Sequence, residues 1–384
     1  MGNRLTQDSF TRGELSPRLD ARISLEQYSI GLKTAKNAVI HQEGCISNRM
    51  GMEFCGEVKY STKTTRVIKF VFNQEQTYML EFGDKYIRFL KDGGYIINPD
   101  TEEIVEIETP YAAEDLPQIK RTQAGDYLTL THMNYPALNL VRYSHYDWRL
   151  EEIVFEPSIT APTNVKAAWT GDTDSNTKTY NYLVTAVSSD NDEESARSSI
   201  ASATAHREAN WLTTEYMTIT WSAVSGASEY NVYREVNGIY GYIGTAEGTT
   251  FTDDNIEPDL TSSAPITRNP FEDDNYPSCS CYYQQRKIYA NSVNDPQTLW
   301  ASQTGAINNF NVSRPLIATD AVTITMDDRE VNEIRHLLPM ADLIVLTSNS
   351  EWKVNGTDGV FEANPAPAAV IQSCYGASHV EPIV

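Results

Sequence analysis

Apolar and polar positions alternate with period two over most of the chain from residue 64 onward. Arg66-Val67-Ile68-Lys69-Phe70-Val71-Phe72 and residues 76–90 are rich in aromatic and β-branched side chains, the composition of half-buried strands. Gly83-Asp84, Asp92-Gly93-Gly94 and Gly125-Asp126 fall where a meander has to turn. Four stretches are variants of one hairpin, centred on residues 76–89, 126–132, 286–291 and 342–348. Within each pair the hairpins lie roughly 50 residues apart, the period of a four-stranded propeller blade. Further strands run from 118 to 155 and end in Trp148-Arg149-Leu150-Glu151-Glu152-Ile153-Val154-Phe155. Repeats of this length usually build scaffolds, because each unit buries its apolar face only against its neighbours.

Helical spacing occurs once. Residues 1–20 are polar and punctuated by Gly13 and Pro17, which predicts an extended arm. Ser24-Leu25-Glu26-Gln27 has the spacing of a capping box, and Tyr28, Leu32 and Ala35 follow at helical intervals, so one short helix is expected over 24–38. Gly31 inside it costs about 1 kcal/mol relative to Ala and implies a packing reason.

Residues 158–265 differ from their surroundings and have the size of an immunoglobulin-like sandwich. Ala161-Pro162-Thr163-Asn164-Val165, Tyr180-Asn181-Tyr182-Leu183-Val184-Thr185-Ala186-Val187, Ile219-Thr220-Trp221, Tyr230-Asn231-Val232-Tyr233-Arg234 and Thr249-Thr250-Phe251-Thr252-Asp253 resemble fibronectin type III strands. In that family the Trp strand precedes the Tyr-x-Tyr hairpin, whereas here it follows, so one rearranged sandwich is expected. The fold class is therefore mainly β: a β-propeller-like body with an inserted fibronectin III-like β-sandwich and one short N-terminal helix. The expected divisions are 1–60 for the arm and helix, 61–157 and 266–384 for the body, and 158–265 for the insertion. The sandwich is expected to hang from two adjacent linkers near Pro157 and Pro265. The pattern at Ile383-Val384 is that of a strand beginning, which suggests further blades beyond it.

The net charge of −22 argues against a protein that grips nucleic acid through its phosphates, which requires clustered Lys and Arg. The excess is uneven, with 18 acids against 6 bases over 158–275, and seven acids with no base over 100–115. The ordinary reading of such runs is a solvated face. No apolar run approaches the roughly 18 residues of a membrane span, and no apolar signal region follows Met1. Gly2 with Thr6 fits the short and common myristoylation pattern. Five cysteines (Cys45, Cys55, Cys279, Cys281, Cys374) are too few and odd in number for a disulfide framework, and read as reduced thiols of a protein made in a cytoplasm.

Catalytic motifs are not found. The chain has no phosphate-binding loop, nucleophile elbow, zinc-protease helix or dinucleotide fingerprint. Cys279-Ser280-Cys281 is too tight for a zinc knuckle, and the histidines at 41, 132, 145, 206, 336 and 379 share no metal-like spacing. Asp172-Thr173-Asp174-Ser175-Asn176 opens like a calcium loop but fails at Thr177 and Leu183. Asp327-Asp328, Glu193-Glu194 and Glu102-Glu103 offer acid pairs for glycoside hydrolysis, though neighbouring acids on a strand face opposite sides. No enzyme, metal or cofactor is expected.

Phe10-Thr11-Arg12-Gly13-Glu14-Leu15-Ser16-Pro17-Arg18-Leu19-Asp20-Ala21-Arg22, then Tyr28, then Gly44-Cys45-Ile46-Ser47-Asn48-Arg49-Met50-Gly51, resembles the opening of tail-nozzle proteins of short-tailed bacteriophages, also called tail tubular protein B or tail hub proteins. Met50 stands where that family has Pro, and Cys45 where it has Gly. Gln284-Gln285-Arg286, Pro296-Gln297-Thr298-Leu299-Trp300, Glu330-Val331-Asn332-Glu333-Ile334-Arg335-His336 and the strand pair 343–352 resemble later parts of the same family. The resemblance implies a structural virion component, made in the host bacterial cytoplasm. It would form a hexameric ring below the portal and its adaptor, meet tail fibre or tail tip proteins, and pass double-stranded DNA without binding it. On that reading Phe10, Arg12, Leu15, Arg18, Leu19, Arg22, Tyr28 and Arg49 are candidate subunit contacts. Glu102, Glu103, Glu106 and Glu108 are candidate channel-lining residues, since an acidic wall repels phosphates. A receptor-binding adhesin of the virion and a polysaccharide-degrading tail enzyme remain as alternatives.

Overall fold

The computed structural model describes residues 6–172, 176–327 and 330–383. The Gly2 pattern, Asp174 of the failed calcium loop and Asp328 of one acid pair lie outside the described residues. The chain divides into two compact units, 1–56 and 57–384.

Nearly every element is an antiparallel strand, and the larger unit holds four meander sheets of the expected kind. The first sheet comprises Arg66–Val71, Thr77–Gly83, Tyr86–Lys91 and Gly94–Tyr95, with Glu106–Glu108 against Tyr86–Lys91. Lys120–Ala124, Tyr127–His132, Tyr135–Arg142 and Trp148–Glu152 form the second. The third is Cys279–Tyr283, Arg286–Ala290, Thr298–Ala301 and Val322–Thr325, and the fourth is Ile334–Pro339, Leu343–Thr347, Glu351–Asn355 and Ala368–Ser373. Alternation works as the pattern predicts: Tyr78, Leu80 and Phe82 are buried while Met79 is half exposed. The expected strand to Phe155 stops at Glu152, because Phe155 turns into an aromatic cluster with Phe271, Tyr289 and Phe310.

The sheets share cores in pairs. Trp148 stacks on Phe89 at 4.4 Å and meets Phe70 and Tyr78 edge-on, fusing the first sheet to the second. A separate core of Cys281, Ile288, Leu299, Leu343, Val345 and Trp352 fuses the third to the fourth. The aromatic cluster around Phe271 joins the second and third. Among the described residues no shared core joins the fourth back to the first, so the body is propeller-like without a closed ring of cores.

The insertion is one sandwich of rearranged order. Lys166–Thr170, Tyr216–Thr220 and Thr250–Asp253 make one sheet; Ala201–His206, Thr177–Ser188, Ala227–Val236, Ile239–Ala246 and Asp259–Ser263 make the other. The Tyr-x-Tyr hairpin thus intervenes between the first two strands of the three-stranded sheet. Arg234 and Asp253, both buried, pair at 2.8 Å across the two sheets, and Asp253 also accepts from Tyr182. The sandwich does not hang from its linkers. Glu193 is 6% exposed and accepts from Ser158 and from Asn309 Nδ2 of the body at 2.9 Å. Arg197, four residues on, donates to the carbonyls of Ala264 and Pro265. One loop therefore clamps both ends of the insertion.

The expected helix over 24–38 is a single turn, Glu26–Ser29, preceded by Leu25 rather than capped by Ser24. Tertiary bonds override the helical spacing: the backbone of Ile30 and Leu32 pairs with Arg12, Gly13 and Leu15 of the arm instead.

Lys287 lies between the second and third sheets, 2% exposed, with Nζ donating to Thr129 Oγ1 and to Tyr282 Oη at 2.9 Å. The described residues place no carboxylate against it. Burial lowers its pKa from 10.5 to about 7. Arg286 beside it gives its guanidinium to the carbonyls of Ser302, Asp320 and Ala318, and burial lowers it to about 10.

Between pH 7 and 10.5 the unfolded chain holds the Lys287 proton that the folded chain has lost, so stability should rise with pH across that window. Lys287→Met should remove this rise; parallel denaturation profiles for the two proteins at pH 6, 8 and 9.5 would contradict the assignment. Glu193→Ala strands Asn309 Nδ2 and frees Ser158, and should cost about 1–3 kcal/mol. It should also speed proteolytic release of the sandwich, which unchanged cleavage rates would rule out.

Candidate functional site

Three places carry the charge and chemistry of this chain: the small N-terminal unit, the acidic run after residue 100, and a basic cleft where the first strands of the four sheets converge.

In the N-terminal unit each residue of the Gly13-Glu14-Leu15-Ser16-Pro17 stretch has a structural role. The Gly13 carbonyl accepts from Leu32 N at 2.7 Å, and Glu14 Oε2 accepts from Ala35 N at 2.8 Å. Leu15 covers Gly31, where a Cβ would stand 2.5 Å from its side chain, which is the packing reason the glycine implied. Ser16 accepts from Arg18 N to open the turn Pro17–Leu19. Gly44 is buried against Ser9 at φ +98°, so both its backbone and its space exclude a side chain. Phe10, Leu15, Leu19 and Tyr28 are half-buried, whereas Arg12, Arg18, Arg22 and Arg49 are exposed. Among the described residues none of these four arginines makes an ion pair with an acid of its own unit. Met50, Met52 and Phe54 alternate along an extended stretch and are 82–87% exposed. The unit holds seven bases against six acids, while residues 57–384 hold 23 against 46.

His41, Glu43 and Cys45, at the turn between Ala38–Ile40 and Ile46–Asn48, bring three ligand-capable groups within 4.8 Å of one another. All three are exposed, and His41 Nε2 shares a hydrogen bond with Ser47. Sequence reasoning missed this trio because it sought cysteine pairs, and alternate residues around a tight hairpin are an uncommon ligand spacing.

The four acids of the second run do not form one surface. Glu102 and Glu103 are exposed at a turn and Glu108 is exposed on its strand. Glu106 is bound by Lys59 and by Arg88 Nε at 2.8 Å. Burial pushes its pKa up, but the hydrogen bonds from Lys59 and Arg88 outweigh that and hold it below the usual carboxylate value. Its charge is therefore spent inside the first sheet. Of the other acid pairs, Glu193 clamps the sandwich and Glu194 accepts from Thr185, Asn231 and Tyr233.

The cleft encloses about 490 Å³ and is lined by Arg66, Lys120, Arg121, Cys279, Leu337 and Glu381 among others. The starts of Arg66–Val71, Lys120–Ala124 and Cys279–Tyr283 and the middle of Ile334–Pro339 all reach it. Arg66 Nη1 donates to the carbonyls of Leu116 at 2.9 Å and of Pro117 and Ile119, and burial lowers its pKa. Lys120 Nζ donates to the Arg335 carbonyl, and Arg121 Nη1 to that of Lys69 at 2.9 Å. Residues 377–382 cross the cleft as a strap, held by Arg335 Nη1 on the Ala377 carbonyl at 2.7 Å and His336 Nε2 against the Ser378 carbonyl at 2.9 Å. Burial lowers the His336 pKa, in keeping with a neutral ring that donates to this carbonyl. Beside the cleft a void of about 50 Å³ is lined by His132, Ser278 and Asn291, whose buried Nε2, Oγ and Oδ1 lack partners among the described residues. A buried water satisfies such a set. None of this was legible in the sequence, because the lining residues come from five separate segments.

No family model and no curated protein matches the chain. Among solved structures, the crystal structure of BBS1N in complex with ARL6DN, soaked with lead, is similar over 82% of this chain and 85% of that one, at 8% identity and a TM-score of 0.19. A superposition that loose informs neither fold nor site.

Charge reversal separates the structural acid from the exposed ones. Glu106→Lys places a third cation against Lys59 and Arg88 and should destabilise by about 2–4 kcal/mol. Glu102→Lys with Glu103→Lys should change stability by no more than about 0.5 kcal/mol. Equal melting shifts for the two proteins would contradict these placements.

Proposed function

We propose that this chain is a structural, non-enzymatic component of a short-tailed phage tail. Copies form the nozzle ring, six in number, below the portal and its adaptor, and their shared axis is the conduit for genome ejection. The observation that carries this reading is the N-terminal unit. Its glycines and its Glu-Leu-Ser-Pro residues are consumed in holding the unit together, yet four arginines and the Met50-Met52-Phe54 stripe face solvent. Exposed arginine and large apolar side chains are what interface cores are enriched in. The sign of the charge agrees: a nearly neutral, arginine-bearing unit and an acidic body supply complementary surfaces for successive copies or for an adaptor. Exposed Glu102, Glu103 and Glu108 suit a wall along which a duplex slides without phosphate contacts, with Glu106 removed from that set.

Arg12→Glu, Arg18→Glu, Arg22→Glu and Arg49→Glu together should leave the melting temperature of 57–384 unchanged. The same substitutions should abolish ring formation, read by negative-stain imaging of the chain mixed with its adaptor. Rings formed equally well by the quadruple variant would sink the role of this unit. A wild-type chain that stays monomeric with the adaptor and binds a host glycan would favour an adhesin instead.

A further inference from the structure

The cleft at the first strands reverses the sign of its surroundings. Arg66, Lys120 and Arg121 bring three permanent positive charges to a protein of net charge −22, and Glu381 is the one carboxylate among the lining residues. The bonds that hold Arg66 and Lys120 go to backbone carbonyls, which position a cation without cancelling its charge. Arg121 Nη2 reaches Glu381 at 3.4 Å, and Arg121 Nε is buried with no partner among the described residues. An unpaired buried donor costs roughly 1–3 kcal/mol unless something accepts from it. The walls between the cations are apolar, formed by Pro117, Ile119, Leu337 and Leu338. A concave, mostly apolar pocket of a few hundred Å³ with a few convergent polar groups is the usual form of a small-ligand site.

We propose that this cleft binds a small organic phosphate, its dianionic head on Arg121 and Lys120 and its apolar body against Ile119, Leu337 and Leu338. With Glu381 displaced, the three cations of the cleft match a dianion better than a monoanion. Glu381 stands where part of the head would go, so the strap 377–382 is an internal competitor: its carboxylate is the resident anion, and a ligand enters by displacing it. The strap is suited to this, since Glu381, Val380 and Ile383 are exposed and the hydrogen bonds that hold its backbone among the described residues lie at Ala377 and Ser378. This proposal goes beyond the ring assignment and stands or falls separately from it, because a monomeric chain serves equally well.

The test is calorimetric titration of the full chain with phenyl phosphate, inorganic phosphate and benzoate, at low and high salt. Phenyl phosphate should bind most tightly, and its affinity should fall with salt. Glu381→Gln, an exposed and structurally mild change, should tighten phenyl phosphate binding about tenfold by removing the competitor. Arg121→Met should weaken it about tenfold or more, with folding checked by an unchanged melt. Should Arg121→Met fail to fold, the Glu381→Gln arm decides alone. Absence of saturable phenyl phosphate binding in both the wild type and Glu381→Gln overturns the proposal. Tighter binding of benzoate than of phenyl phosphate overturns the dianion assignment.

Discussion

The body depends on one polar seam between its second and third sheets. The chain leaves the second sheet at Glu152 and does not begin the third until Cys279, so nothing in local sequence brings them together. What joins them is a row of threonines. Thr122 Oγ1 donates to the Ser280 carbonyl at 2.6 Å, Thr131 Oγ1 to that of Ser278 at 3.1 Å, and Thr129 receives the Lys287 ammonium. The aromatic cluster of Phe155, Phe271, Tyr289 and Phe310 closes over one side of it. Each half has its own core, so the seam sets how the halves are held, and the cleft exists only because the seam aligns Lys120 and Arg121 with Cys279 and Ser280. A lysine without a carboxylate is a costly way to build such a contact, and its depressed pKa is the physical trace of that cost.

Charge is distributed unevenly, and the N-terminal unit and the cleft differ from the rest. The body and sandwich carry nearly all the acidity, which keeps them soluble and repels polyanions. The N-terminal unit is close to neutral with Arg12, Arg18, Arg22 and Arg49 exposed, and the cleft is locally positive. Within the acidic majority many carboxylates are structural. Glu193, Glu194, Glu106 and Asp253 each accept several hydrogen bonds, so net charge overstates what is free to act on a ligand.

Strand alternation in 66–90 and the roughly 50-residue spacing made the meander sheets legible, because side-chain period and burial coincide in half-buried strands. The sandwich was legible for the same reason, as was its odd order, since the Trp221 strand visibly follows the Tyr180-Asn181-Tyr182 hairpin. The helix over 24–38 was misread because the spacing of Tyr28, Leu32 and Ala35 is also satisfied by a chain that turns once and then pairs with the arm. Gly44 and Glu14, singled out in the sequence by a resemblance, have local structural roles: Gly44 packs against Ser9 at positive φ and Glu14 accepts from Ala35 N. The cleft and the Glu193 clamp were illegible, since each depends on residues that only the fold brings together, whereas the His41-Glu43-Cys45 trio is local in sequence and was passed over for its uncommon spacing.

The clamp also has a consequence for chain entropy, because it ties the two ends of the insertion together. Joining the two halves of the body across an unstructured insertion means closing a loop of some hundred residues. Once the sandwich has folded, Glu193 and Arg197 hold its two ends on the same loop, and the effective closure shrinks to the roughly 20 residues of 152–158 and 265–279. By the logarithmic dependence of closure entropy on loop length, this lowers the barrier to assembling the seam by roughly 2 kcal/mol. A folded insertion therefore brings the most distant contacts of the body closer along the connected chain, the direction in which lower contact order favours faster folding.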